Sequence, residues 1–285
     1  MRLGLSTPVV IQPPGATPAW EAAADIADVA RIAAAADDLG FDYLTCSEHI
    51  AVPDEDAVRR GSMYWDPLAT LSYLAACTTR IRLATSVLVL GYQHPLAIAK
   101  RYGTLDRLSG GRVVLGVGVG SSAAEFDVLG VPFADRGARA DDAIAALRAA
   151  WGATRPDYDG AFYRFSSLRV EPCGIQPRVP IWVGGRTARS LRRALQLGDG
   201  WMPFALSRNE IATMLDGRSL PPDFEVVLAT PQLDPAGDPA RCAHKLAALR
   251  ASGATAVTCS VTATSAGHYC DQLVALRDLA DDLWS

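Results

Sequence analysis

The chain has 285 residues, of which 49% are apolar and 20% charged, with a formal charge of -4. It therefore carries material for a large buried core and is neither disordered nor strongly basic. Lys and Arg are scattered, which leaves no electrostatic footprint for a phosphate backbone. No run reaches the roughly 18 apolar residues of a membrane span, and the first eleven residues lack the basic start and long apolar stretch of a secretion signal. Six cysteines form no CxxC pair, so reduced thiols and a cytoplasmic location are expected, with no nucleic-acid or membrane partner. His94, His244 and His268 show no ligand-like spacing, and no metal is expected.

In chain order, short β-rich runs alternate with longer Ala- and Leu-rich helical periods. Strands are predicted over 2–6, 41–46, 81–89, 112–117, 180–183, 200–204, 225–230 and 256–261. Helices fall between them over 19–39, 66–79, 95–108, 135–151, 187–197, 207–216, 239–251 and 266–283. Continuous apolar strands such as "VVLGVGV" fit a sheet covered on both faces. Eight βα units in succession predict an α/β chain of the (β/α)₈ TIM-barrel class, one domain over 1–285. Residues 152–179 read as an insertion with a small hairpin around Phe162, Tyr163 and Phe165. Residues 7–18 are long for a βα loop, and both excursions are read as lids near the active end.

Barrel chemistry lies at the carboxyl ends of the strands. "YLTCSEHI" puts Glu48 and His49 directly after the second strand, where an imidazole can exchange protons near neutral pH and a carboxylate can orient it. Neighbours on an extended segment point opposite ways, so Glu48 can equally cap the loop or pair with an Arg. In "LATSVLVLGYQHP" the small Thr85 and Ser86 either let the backbone bulge into a pocket or belong to ordinary barrel packing. "LGVGVGSSAAEF" lacks GxGxxG spacing; Gly116, Gly118 and Gly120 instead leave room beside the wall for a flat ring. Gly184 and Gly185, with Arg186 and the helix cap Thr187, form either a phosphate seat or a tight turn for chain reversal. Tyr64, Trp65, Tyr92 and Trp201 are candidates to line a substrate pocket or plain core aromatics.

The blocks "GFDYLTCSEHI", "DPLATLSYLAACTTRIRLATSVLVL", "HPLAIAKRYGTLDRLSGGRVVLGVGVG", "EFDVLGVPFADRGARADDAIAALRAAW" and "PIWVGGRTARSLRRALQLGDGW" resemble the bacterial luciferase-like superfamily, in its coenzyme F420-dependent oxidoreductase branch. The resemblance is strong over roughly residues 1–205. It implies a non-prolyl cis peptide at Ser86–Val87 backing the deazaflavin ring, and an acid-His pair, Glu48 and His49, by its reacting face. It also implies a cofactor-phosphate seat at Val183, Gly184, Gly185 and Arg186, with Gly118, Gly120 and Ser121 at the cofactor edge. Glu48 departs mildly, because Asp is common there. Ser121 and Ser122 stand where some sugar-phosphate-oxidising relatives carry a catalytic Glu, so that substrate is not carried over. Asp106, Arg112 and Arg139 are read as structural ion pairs and caps.

Three readings follow. The first is an F420-dependent oxidoreductase moving hydride to or from a small organic substrate, with His49 as proton donor or clamp and Glu48 tuning it. The second is an FMN-dependent monooxygenase on the same scaffold, and the third a cofactor-binding barrel without turnover. A homodimer is expected from the resemblance, with "AACTTRIRLATSV" near its face.

Overall fold

Parallel strands form where β-branched and aliphatic runs are buried on both sides, and the computed structural model, which describes residues 1–15 and 17–284, winds them into a closed barrel. The first half contains β1 (Arg2–Ser6), α1 (Ala19–Ala23), α2 (Ile26–Asp38), β2 (Tyr43–Cys46), α3 (Asp54–Arg60), α4 (Pro67–Ala76), β3 (Arg82–Thr85), β4 (Leu88–Val89), α5 (Pro95–Leu108), β5 (Val113–Gly118), α6 (Ala123–Val128) and α7 (Arg136–Ala150). A hairpin of β6 (Tyr158–Asp159) and β7 (Arg164–Phe165) follows. The second half contains β8 (Ile181–Gly184), α8 (Ala188–Leu197), β9 (Gly200–Met202), α9 (Arg208–Leu215), β10 (Glu225–Ala229), α10 (Pro239–Ala251), β11 (Ala256–Cys259) and α11 (Ala266–Trp284). The barrel order runs β3, β2, β1, β11, β10, β9, β8, β5, and β5 pairs back onto β3 to close the ring. This is a (β/α)₈ barrel, with β3 and β4 serving as one interrupted strand.

Its interior is filled by Tyr43, Ala84, Val114, Trp182, Val227 and Ala256. Tyr43 meets Trp182 edge-on at 4.9 Å between centroids, a favoured aromatic geometry. At the amino end of the strands, Glu225 accepts from the Trp182 indole at 2.7 Å and from the guanidinium groups of Arg2 and Arg82. That buried carboxylate is therefore matched by charge and closes the base, leaving the carboxyl end as the open mouth.

Several boundaries differ from the sequence expectation for identifiable reasons. The helix expected over 19–39 breaks before Ile26, because Asp25 caps α2 by accepting from the Ala27 and Asp28 amides. The strand expected over 81–89 is interrupted at Ser86–Val87, whose peptide bond is cis. Two short helices, α3 and α6, occupy stretches read as loops.

The excursions do not behave as lids over the mouth. The 152–179 insertion connects α7 to β8, so it starts at the amino end and climbs the outside of α5 and α7. Asp142 of α7 holds the hairpin, accepting from the Tyr158 hydroxyl at 2.6 Å and the Phe162 and Tyr163 amides at 2.7 and 2.9 Å. Asp106 of α5 holds the return, accepting from the Ile175 and Gln176 amides at 2.8 and 3.0 Å. In the first excursion, whose Ala16 lies outside the described residues, the Gln12 amide donates to Met63 O, and Ile11 bridges Tyr64. It is a fixed wall beside the loop after β2.

The residues read as structural hold structure. Arg112 donates to Ala75 O, Thr78 O and Ile81 O, satisfying carbonyls at the end of α4. Arg139 pairs with Asp135 at 2.8 Å.

Candidate active site

A cavity of about 240 Å³ opens at the carboxyl ends of the strands. Ser6, Thr45, Ser47, Ser86, Thr258 and Ser260 line it, with Val87 and Met202, and among the described residues no charged one does. An uncharged, hydroxyl-rich cleft suits a neutral planar heterocycle that offers several hydrogen-bonding edges. Ser47 donates to Ser86 O, which ties the end of β2 to the interruption between β3 and β4.

Two residues beyond Ser47, the His49 imidazole is fixed by a partner that the sequence reading did not assign. Nδ1 lies 2.8 Å from Glu125 Oε2, and Glu125 Oε1 accepts from the Ile50 and Ala51 amides at 2.9 and 3.3 Å. The Glu125 side chain is 1% exposed and that of His49 20%. A carboxylate taking two backbone N–H groups is an acceptor, so Nδ1 carries the hydrogen and Nε2 is left free. The His49 ring also meets Tyr64 edge-on at 4.5 Å. Tyr92 stands close by, its phenol held well above the ordinary range by burial and by the Glu125 carboxylate.

Glu48 faces the other way. Its carboxylate accepts from the Val89 amide at 2.6 Å and from Gln93 Nε2 at 3.2 Å, bracing the chain that leaves the cis bond. Burial pushes it up to about 7, and Asp66 adds to the rise. The expectation that Glu48 orients His49 is therefore corrected: consecutive side chains diverge, and Glu125 does the orienting. The signal for Glu125 was present as Ser122-Ala-Ala-Glu125, the spacing of a capping box. Ser122 does cap α6, accepting from the Glu125 amide, but the carboxylate turns to His49 instead of back to its own cap.

The expectation that Gly116, Gly118 and Gly120 leave room for a flat ring is also corrected. A Cβ at Gly116 would lie 1.9 Å from Thr85 O, one at Gly118 2.6 Å from Val87 Cγ2, and one at Gly120 2.5 Å from the Phe126 ring. They make room for the protein's own interrupted strand and for α6, not for a ring in the cavity. Gly184 is close to the same side chain, its Cβ position 3.0 Å from Val87 Cγ1. Val87 thus presses on Gly118 and Gly184 with one side and lines the cavity with the other. Of the assigned cofactor residues, only Ser86 and Val87 line the cavity.

Gly185 has φ +132°, and a Cβ there would lie 2.6 Å from Ser190 Cβ, so the turn into α8 requires glycine. Thr187 and Ser190 cap α8 reciprocally. Arg186 is exposed beside Phe204, its guanidinium carbon 6.0 Å from the ring centre. The Val183 side chain packs toward Gly198, away from the mouth, so only its backbone is available there. Ser121 is exposed. Among the aromatics, Tyr64 and Tyr92 surround the His49–Glu125 pair, whereas Trp201 is fully buried with its indole on Ser190, and Trp65 packs against the core.

The barrel mouth thus carries a hydroxyl-rich cleft and, just beyond β2, a His49–Glu125 pair. Residues 1–217 match the luciferase-like monooxygenase family. The chain belongs to that family and is an oxidoreductase of it. It is 36% identical over 197 residues to an uncharacterised protein of Mycobacterium tuberculosis, covering 64% of this chain and 67% of that one. It is also 36% identical over 172 residues to an F420-dependent glucose-6-phosphate dehydrogenase of Beutenbergia cavernae, covering 59% of this chain and 49% of the dehydrogenase, so it spans about half of that relative's length. The coenzyme F420-dependent tetrahydromethanopterin reductase of Methanopyrus kandleri shares the fold with a TM-score of 0.77 at 16% identity, over 100% of this chain and 99% of that one.

Proposed function

We propose that the chain is an F420-dependent oxidoreductase that moves hydride between a 5-deazaflavin coenzyme and a small organic substrate. The observation that carries this reading is an uncharged cleft at the barrel mouth lined by Ser47, two residues before an imidazole, itself not in the lining, whose tautomer is fixed by a buried carboxylate. The F420-dependent relative and neighbour support the choice of coenzyme.

Bound in the cleft, the coenzyme would supply a ring carbon that gives or takes hydride. Ser86 and Val87 would support the ring, and the Gly184–Gly185–Arg186 turn at the start of α8 would take its phosphate through backbone amides and one cation. His49 serves the substrate. With Nδ1–H held by Glu125, its Nε2 accepts a proton from a substrate hydroxyl or, protonated, returns one to a nascent alkoxide. Tyr64 and Tyr92 restrict water around the imidazole, and Glu48 keeps the segment after the cis bond in place from beneath.

The test is anaerobic oxidation of reduced F420 against a panel of enones, ketones and aldehydes. Turnover with at least one class, falling about 10²-fold in His49→Ala while coenzyme affinity holds, supports the reading. Activity only with reduced FMN and oxygen makes the protein a flavin monooxygenase, and no turnover with either makes it a binding protein.

A further inference from the structure

Next to the hydroxyl-lined cleft lies a second, larger cavity of about 520 Å³. The end of β9, the start of α9, the end of β10 and the outer turns of α10 bound it. It shares Pro203, Phe204 and Ala229 with the first cavity, so one molecule can reach from one into the other. Its chemistry differs. Leu206, Ile211, Leu228 and Leu249 supply apolar wall, Arg208 and Lys245 supply charge, and among the described residues no Asp or Glu lines it. Among the described residues the side chains of Arg208 and His244 have no hydrogen-bonding or charged partner, and Lys245 meets only a neutral carbonyl, Gln232 O, at 3.0 Å.

From this juxtaposition we infer that the second cavity is the substrate's recognition site, and that it takes a monocarboxylate with an apolar body. The carboxylate faces Arg208 and Lys245, the body lies on the leucine and isoleucine wall, and the reacting end passes Phe204 into the hydroxyl-lined cleft. This rests on the oxidoreductase reading for its reacting end, but not for its binding.

The cavity offers an anion side-chain cations and not the backbone-amide seat of a phosphate site. Phosphate sites in this kind of fold draw on free amides at a helix start. Here a capping box takes two of those amides at the start of α9: Ser207 Oγ accepts from the Glu210 amide, and the Glu210 carboxylate, which brings a negative charge to the helix start, accepts from the Ser207 amide and hydroxyl. That fixed carboxylate opposes any anion seated on the helix start, which leaves Arg208 and Lys245 as the anion's partners. Two flexible, solvent-reached cations on an apolar wall suffice for a carboxylate.

The test is calorimetric titration of the purified chain, without coenzyme, using three probes with one body: 4-phenylbutanoate, 4-phenylbutanol and 4-phenylbutyl phosphate. The carboxylate should bind about tenfold or more tighter than the alcohol, and tighter than the phosphate. Its advantage should shrink as salt rises from about 50 to about 500 mM. In the Arg208→Gln/Lys245→Gln double variant it should fall to within about twofold of the alcohol, while alcohol binding is unchanged. Equal binding of acid and alcohol, tighter binding of the phosphate, or no binding of the acid at millimolar concentration overturns the proposal. The wild-type comparison decides on its own should the variant fail to fold. Because no coenzyme is present, failure here leaves the hydride-transfer reading standing, and a failed coenzyme titration leaves this one standing.

Discussion

Replacing Glu125 by Gln tests whether this carboxylate, and not its neighbour in sequence, sets the state of His49. Gln has the same shape, and its Oε1 can still accept from the Ile50 and Ala51 amides, so the loop after β2 should hold. What changes is the atom opposite His49 Nδ1, now 2.8 Å from a carboxylate oxygen and in the variant facing an amide N–H₂. Two donors cannot share that line, so the imidazole must move its hydrogen to Nε2. A charge-assisted hydrogen bond of this kind is worth about 1.5–3 kcal/mol net, so the tautomer ratio should shift by roughly one to two powers of ten. The assay is long-range ¹H–¹⁵N correlation of the His49 ring. The wild type should show a protonated Nδ1 and a free Nε2 at alkaline pH, and Glu125→Gln the reverse. An unchanged tautomer would show that Glu125 does not orient the ring and would remove the acid-base argument with it.

Other consequences follow from the same contacts. Burial holds Glu48 at about 7 against an ordinary 4.5, so between those values the folded chain keeps a proton that the unfolded chain has released. Stability therefore falls as pH rises through that window, by about 3 kcal/mol in all. Urea unfolding of Glu48→Gln at about pH 5 and about pH 8 should show most of this slope gone; parallel profiles for the two proteins would mean that Glu48 is not the group responsible. Gly118→Ala drives a Cβ to 2.6 Å from Val87 Cγ2. It should cost about 1–3 kcal/mol by overpacking, read as a lower urea midpoint at constant slope, and an unshifted midpoint would show that β4 yields freely.

The barrel was legible because its strands are apolar runs and the longer helices between them are periodic, and these signals survive tertiary packing. The sequence also carried, through its resemblance, the interruption at Ser86–Val87. What it did not carry was the direction of side chains. Glu48 and His49 are adjacent in sequence but serve opposite sides of the loop, and Glu125 reaches His49 from 76 residues away through a helix too short to leave a periodic signal. Gly116 and Gly118 of β5, and Gly120 just beyond it, misled for a related reason. A missing side chain shows that something comes close, and here that is Thr85, Val87 and Phe126 instead of a ligand. The insertion was found as a hairpin; it starts at the base of the barrel and its aromatic tip climbs to the start of α5, where Tyr163 and Phe165 meet the His94 ring on the outside of the mouth.

The coenzyme choice is tested most directly by equilibrium titration of the purified chain with F420 and with FMN under identical conditions. F420 should bind about tenfold or more tighter than FMN, a difference of about 1.4 kcal/mol or more. Preference for FMN, or no binding of F420 at tens of micromolar, would contradict the assignment.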